Sequence, residues 1–130
     1  MKKIEIALYF PVLKLLKMSR IIEIKDKERY LVINISLKKN DIDFEELLKN
    51  IFKEIFGIFE LSKAKIKIID KKKHKDNTFL IIRVNHTHIN HLKFAIGVMK
   101  LFYNFFEDII FIDTVGTIKK ARLLIEENVT

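Results

Sequence analysis

From Arg29 to Leu37 the chain runs through β-branched and aliphatic residues, then breaks at the polar cluster Lys38–Asp41, which predicts a β-strand. Asp41 or Asp43 can cap the helix that follows. Phe44, Leu47, Leu48, Ile51, Phe52, Ile55, Phe56 and Phe59 recur at three- and four-residue steps, one wide apolar face over about four turns. Gly57 stands near its end as a weak point or terminator. Alternation returns at Lys63–Asp70, where Ala64, Ile66 and Ile68 oppose Lys65 and Lys67. An edge strand is expected there, and the polar run Lys71–Asn77 as a hairpin loop. Thr78–Val84 is nearly continuously apolar, as in a central strand covered on both faces. Thr87 is placed to cap a second helix reaching about Phe102, with Leu92, Ala95, Ile96 and Met99 toward the core. Glu107–Val115 reads as a fourth strand. Gly116-Thr117 then turns the chain into a third, basic helix from Ile118 to about Glu127.

The order β-α-β-β-α-β-α defines an α+β class. Its first six elements form the ferredoxin-like split βαβ arrangement, shared with RRM-like domains: a four-stranded antiparallel sheet with two helices on one face, here followed by a C-terminal helix. Residues 27–130 read as a single α/β sandwich domain, and residues 1–26 as an N-terminal extension. In the first strand Leu31, Ile33 and Ile35 face one way, Tyr30 and Val32 the other. The third and fourth strands are apolar on both sides, so the second sheet face needs cover. The last helix, the N-terminal segment and another protein are the candidates, in combination.

The extension reads unlike the rest. Leu8, Val12, Leu15 and Leu16 fall near helical spacing, with Lys14, Lys17 and Arg20 on the other side. A packed or frayed extension is the expectation, and Met18 is a plausible start. Ile4–Leu16 is too short to span a bilayer and contains Glu5, Pro11 and Lys14, so neither a secretory signal nor a membrane association is expected.

Composition changes this picture in two ways. With 49% hydrophobic residues, 11 Phe, 3 Gly and 1 Pro in 130 residues, the chain can fill the core of one domain. Its 25 Lys+Arg against 17 Asp+Glu leave a net charge of +8. That excess favours a polyanionic partner, with solubility as the plainer explanation. The absence of Cys excludes disulfides and thiolate chemistry and suits a reducing cytoplasm.

Motifs that carry catalysis are missing. There is no glycine-rich phosphate loop, no G-x-S-x-G and no H-E-x-x-H. His86, His88 and His91 cluster at the start of the second helix, but no Cys or carboxylate stands at ligand spacing. Polar surface positions or helix-start roles are the expectation for them. Asp108 and Asp113 flank an apolar strand without a base or nucleophile. The sheet offers only Tyr30 and Phe79 as stacking aromatics, and the K/R-G-F/Y-G/A-F signature is absent, so base reading by the sheet is not expected. The informative groups are basic. Lys71, Lys72, Lys73 and Lys75, with His74, sit on the expected hairpin loop and can reach phosphates as flexible point charges. Lys119, Lys120 and Arg122 fall in the first turns of the last helix, where cations oppose the macrodipole unless an anion compensates.

The segment from Ile82-Arg83 to His88, then Leu92-Lys93-Phe94-Ala95-Ile96, then Gly116-Thr117-Ile118-Lys119-Lys120, resembles protein component 2 of archaeal ribonuclease P and its eukaryal homologues. Lys27-x-Arg29-Tyr30 is similar to the family's basic-Arg-Tyr start of the first strand. The likeness covers roughly residues 27–125. Val115 stands where the family usually has Ser, and the family's Leu-Pro-Pro-Thr-Leu-Arg lead-in is not recognisable here.

The resemblance implies a non-catalytic subunit of the ribonucleoprotein that removes 5′ leaders from precursor tRNA. The catalyst would be the RNA with its Mg²⁺ ions, and this chain would bind no cofactor. Implied partners are ribonuclease P RNA, precursor tRNA indirectly, protein component 3 in a heterodimer or heterotetramer, and other ribonuclease P proteins. It transfers RNA-binding roles to Arg83, Lys93, Gly116, Thr117, Lys119 and Lys120, beside the basic groups Arg122, Lys71, Lys72 and Lys73. Arg83 and Lys93 are equally open to structural ion pairing. Gly116 is expected to hold a conformation that a Cβ would hinder, and Thr117 to cap the last helix. The alternative is a ferredoxin-like protein-interaction module without a direct RNA role, and an isolated enzyme is the third choice.

Overall fold

A computed structural model describes residues 27–38 and 42–129. The expectations for residues 1–26, and for Asp41 as a cap, lie outside the described residues. Elements follow in the order β1 (Glu28–Leu37), α1 (Phe44–Phe56), α2 (Ile58–Ala64), β2 (Lys67–His74), β3 (Asn77–Asn85), a 3₁₀ turn (His86–His88), α3 (Ile89–Phe102), β4 (Phe106–Val115) and α4 (Ile118–Val129). The strands form one antiparallel sheet in the order β2-β3-β1-β4. This is the α+β, ferredoxin-like split βαβ arrangement with an added C-terminal helix.

The Asp43 carboxylate accepts the Glu46 backbone N–H at 3.2 Å and starts α1, whose first turn carries Glu45 and Glu46 against the positive end of the macrodipole. The helix does not run through to Phe59. Gly57 takes φ 92° and ψ 167° while its N–H donates to the Lys53 carbonyl at 2.8 Å. Residues with a Cβ rarely enter that region, so the chain breaks here and restarts as α2.

Downstream the expected boundaries shift. Lys63 and Ala64 belong to α2, and Lys65 ends it in the left-handed region at φ 51°. The strand therefore starts at Lys67 and includes Lys71, Lys72, Lys73 and His74, which were expected in a loop. The turn itself is only Lys75-Asp76, closed by the His74–Asn77 pair, with Lys75 at φ 54°. Pairing with β3 extends β2 this far: Lys71, Lys72 and Lys73 stand opposite Leu80, Phe79 and Thr78. The edge position of β2 is as expected.

Two cores lie on opposite faces of the sheet. Leu31, Ile33, Ile35, Leu80, Ile82 and Val84 face α1 and α3, meeting Leu48, Phe52, Leu92, Ile96 and Met99. Truncating a buried aromatic such as Phe52 to Ala costs about 3–5 kcal/mol in comparable cores. On the other face α4 lays Ala121 and Ile125 over Val32, Phe79 and Ile81, with Tyr30, Ile69, Ile112 and Val115 at the margin. Thr117 caps α4 as expected, its hydroxyl accepting the Lys120 N–H at 3.2 Å. The two-sided burial of β3 follows from its central place.

Candidate nucleic-acid interface

Strand register sorts the basic residues by face. On the α4 side Lys67 stands directly opposite Arg83, and Arg83 directly opposite Tyr30. Two residues further along β3, Asp70 faces Ile81; two more, Lys72 faces Phe79. Lys71 and Lys73 project to the α1 side, opposite Leu80 and Thr78. Like charges directly opposite each other on a sheet are destabilising, and beside Lys67 and Arg83 the Glu28 carboxylate is the offsetting anion. Arg83 takes the ion-pairing role left open for it, with Nε 3.8 Å from Glu28 Oε1, a separation too long for a hydrogen bond to the buried Nε. The Tyr30 hydroxyl is pushed above its ordinary pKa by partial burial, with Glu28 adding to the shift and Arg83 opposing it.

The first turn of α4 carries Lys119 and Lys120, both exposed, and no acid, so the cations opposing the macrodipole are present as expected. Arg122 is committed elsewhere: its Nε donates to Asp70 Oδ2 at 3.3 Å and ties α4 to β2. The other oxygen of Asp70 accepts the Lys71 N–H at 2.9 Å.

The structure brings together Arg83 and Lys67, and Arg122 with the β2 lysines. It keeps Arg83 apart from Lys73 by about 17 Å, five residues of strand at about 3.4 Å each. Lys93 is exposed on α3, the layer across the sheet from α4. Gly116 departs from expectation: its φ is not positive, and a Cβ there would meet nothing within 4 Å. The conformational requirement belongs to Gly57.

The three histidines stand at the start of α3 as expected, His86 exposed, but His88 is not a surface residue. His88 is buried at 7% exposure, with Nε2–H donating to Glu60 Oε2 at 2.6 Å and Nδ1 2.7 Å from the Thr87 hydroxyl. Thr87 does not cap α3. Asn85 caps the 3₁₀ turn instead, its side-chain oxygen accepting the Thr87 N–H at 3.2 Å. His91 packs half-buried against Phe56, ring centroids 4.7 Å apart. His86 meets the Lys27 carbonyl with its backbone N–H at 2.9 Å, and its Nδ1 lies 3.0 Å from the same oxygen. Among the described residues no three His, Cys, Asp or Glu side chains converge on a metal site. Asp108 is engaged by Lys100 at 2.9 Å, a bond that holds its carboxyl below the usual aspartate range.

Phe79 is 3% exposed beneath α4, so the face that RRM-like domains use for stacking bases is occupied. Sequence reading missed one feature outright. On the helix layer Phe59, Leu101 and Phe102 are 81%, 80% and 75% exposed, with Phe94 at 58% beside Phe56. Phe94, Val98, Leu101 and Phe102 fall at i, i+4, i+7 and i+8, so a signal existed in the second apolar stripe of α3.

The described residues thus form a small α+β domain with a basic surface and exposed aromatic side chains on its helix layer. The sequence matches the model of the Rpp14/Pop5 family over residues 29–125, most of the chain, and the protein belongs to that family. The family is one of ribonuclease P protein subunits and places the chain in tRNA processing. No match to a curated protein sequence was found. No helix of the described residues is long and apolar enough to cross a membrane.

Proposed function

We propose that this chain is a non-catalytic subunit of ribonuclease P that binds and supports the catalytic RNA during 5′ leader removal from precursor tRNA, in the cytoplasm. The observation that carries this reading is the family match over residues 29–125, most of the folded domain. The basic excess of +8 agrees with an RNA partner. The Mg²⁺ ions that the reaction needs are proposed to be held by the RNA. Protein component 3 is the proposed partner at the apolar helix face, in a heterodimer or heterotetramer. Phe59, Phe94 and Phe102 alone leave roughly 300–500 Å² of aromatic surface in water, at about 150–250 Å² per side chain. The exposure of these aromatics on the helix layer supports a protein partner there.

Reconstitution tests the reading. The chain alone is expected to leave precursor tRNA intact, and to raise cleavage when added with component 3 to the catalytic RNA. Cleavage by the RNA-free chain, or no effect on the RNA's activity, would refute it. The same apolar face favours a second reading, a protein-interaction module that does not touch RNA, which predicts no salt-dependent binding to the RNA.

A further inference from the structure

We propose that the free edge of β2 is the chain's principal RNA-binding surface, a lysine rail that grips the phosphate backbone of structured RNA without reading bases. This rests on the ribonuclease P reading only for the choice of RNA as the polyanion.

Charge concentration is the first argument. Residues 63–76 hold seven lysines against two aspartates, +5 of the chain's net +8 in fourteen positions. Five of these lysines, Lys67, Lys71, Lys72, Lys73 and Lys75, lie on β2 and its turn at one border of the sheet, since among the described residues β2 has β3 on one side and no strand on the other. Lys63 and Lys65 belong to the end of α2. Lys67, Lys71, Lys72, Lys73 and Lys75 are all exposed. Lys67 and Lys72 lean to the α4 face, Lys71 and Lys73 to the α1 face. Over about 17 Å from Lys67 to Lys73, five residues of the facing strand, ammonium groups stand at Lys67 and Lys72 on the α4 side and at Lys71 and Lys73 on the α1 side. On the α1 side Glu45 accepts the Ile68 N–H at 3.3 Å, short of those lysines. A phosphate strand laid along it meets cations on either side.

The strand's internal acid is also withdrawn from the edge. Asp70 is neutralised by Arg122, and its second oxygen is taken by the Lys71 N–H. Lysines are point-charge donors, and the edge carries no aromatic or amide side chain from Lys67 to Lys73, so binding would be to the phosphate backbone, not to base edges. The first turn of α4 offers less: Lys119 and Lys120 remain, while Arg122 serves the strand.

A plainer role exists for edge lysines, which guard open strands against pairing with other chains. The experiment separates the two. The full chain and two variants are titrated onto a fluorescent RNA duplex and onto ribonuclease P RNA over a series of salt concentrations. One variant is Lys67→Gln/Lys71→Gln/Lys72→Gln/Lys73→Gln, the other Lys119→Gln/Lys120→Gln. The fourfold variant is expected to lose more than tenfold in low-salt affinity. Its slope of log affinity on log salt should fall by about 0.7–0.9 for each phosphate that is no longer neutralised. The α4 variant should change less, and both RNAs should respond alike.

A single Lys72→Glu change, expected to weaken binding several-fold, covers the case of a misfolded fourfold variant. Unchanged slopes in the fourfold variant with a flattened slope in the α4 variant would overturn the rail while leaving RNA binding intact. Self-association of the fourfold variant with unchanged RNA affinity would show the lysines to be edge guards only. Failure of the unmodified chain to bind either RNA would overturn the rail and the RNA reading together.

Discussion

His88 and Glu60 are joined at 2.6 Å between a buried imidazole at the foot of α3 and a carboxylate on α2, so the short helix after Gly57 is fastened to the turn that follows β3. The His88 hydrogen bond holds the Glu60 carboxyl below its ordinary value of 4.5, and Lys63 adds to the effect. A carboxylate with a lowered folded-state pKa contributes stability above its unfolded value and loses it as pH falls through the folded one. Stability should therefore decline as pH drops below 4.5, and Glu60→Gln should make that decline shallower. Urea unfolding at a series of acidic pH values checks this; identical pH slopes for the two proteins would remove Glu60 from the account.

Gly57 and Gly116 should respond oppositely to alanine. At Gly57 the backbone sits at φ 92°, ψ 167°, and Gly57→Ala is expected to cost about 1–3 kcal/mol. At Gly116 the Cβ has open space and no positive φ, so Gly116→Ala should stay within about 0.5 kcal/mol of the parent. Denaturant midpoints of the two variants decide it.

Removing the α4 cap should loosen the cover of the second sheet face. Thr117→Ala deletes the acceptor of the Lys120 N–H and is expected to cost about 1 kcal/mol. Amide exchange should quicken along α4 and over Phe79 and Ile81, which that helix covers, more than at Leu48 or Phe52. Uniform acceleration would mean that α4 does not open separately.

The exposed aromatics should matter to assembly and not to folding. Phe59→Ser, at an 81% exposed position, should leave stability within about 0.5 kcal/mol, whereas Phe52→Ala should cost about 3–5 kcal/mol. Phe59→Ser combined with Phe102→Ser should weaken pairing with component 3 and suppress self-association of the isolated chain. Calorimetric titration and light scattering read the two effects, and full retention of pairing would move the interface elsewhere.

Much of this architecture was legible in local pattern. The apolar faces of α1 and α3, the central character of β3 and the capping by Thr117 each depend on residues within a few positions of one another. The opposite orientations of Leu31 and Val32 follow from strand periodicity alone, and they correspond to the two separate cores. The basic excess and the Lys119-Lys120 placement were equally open to reading, as was the family resemblance carried by Arg83, Lys93 and Gly116-Thr117.

What local pattern could not supply was set by interactions between distant segments. Alternation over Lys63–Ile68 runs across a helix end and a strand start without distinguishing them. The boundary is drawn by Lys65 in the left-handed region and by Lys67 pairing with Arg83, sixteen residues further on. His88 is buried only because α2 lies over it with Glu60 at bonding distance, a neighbour no window around the histidine contains. The lysines of residues 71–73 became a rigid edge instead of a loop because hydrogen bonds to β3 are available there. Their separation from Lys93 and nearness to Arg122 depend on the strand order β2-β3-β1-β4 and on the face α4 covers. Charge is a property of residues, but an interface is a property of their register, and register is decided by the pairing that buries the most apolar surface on both faces of the sheet.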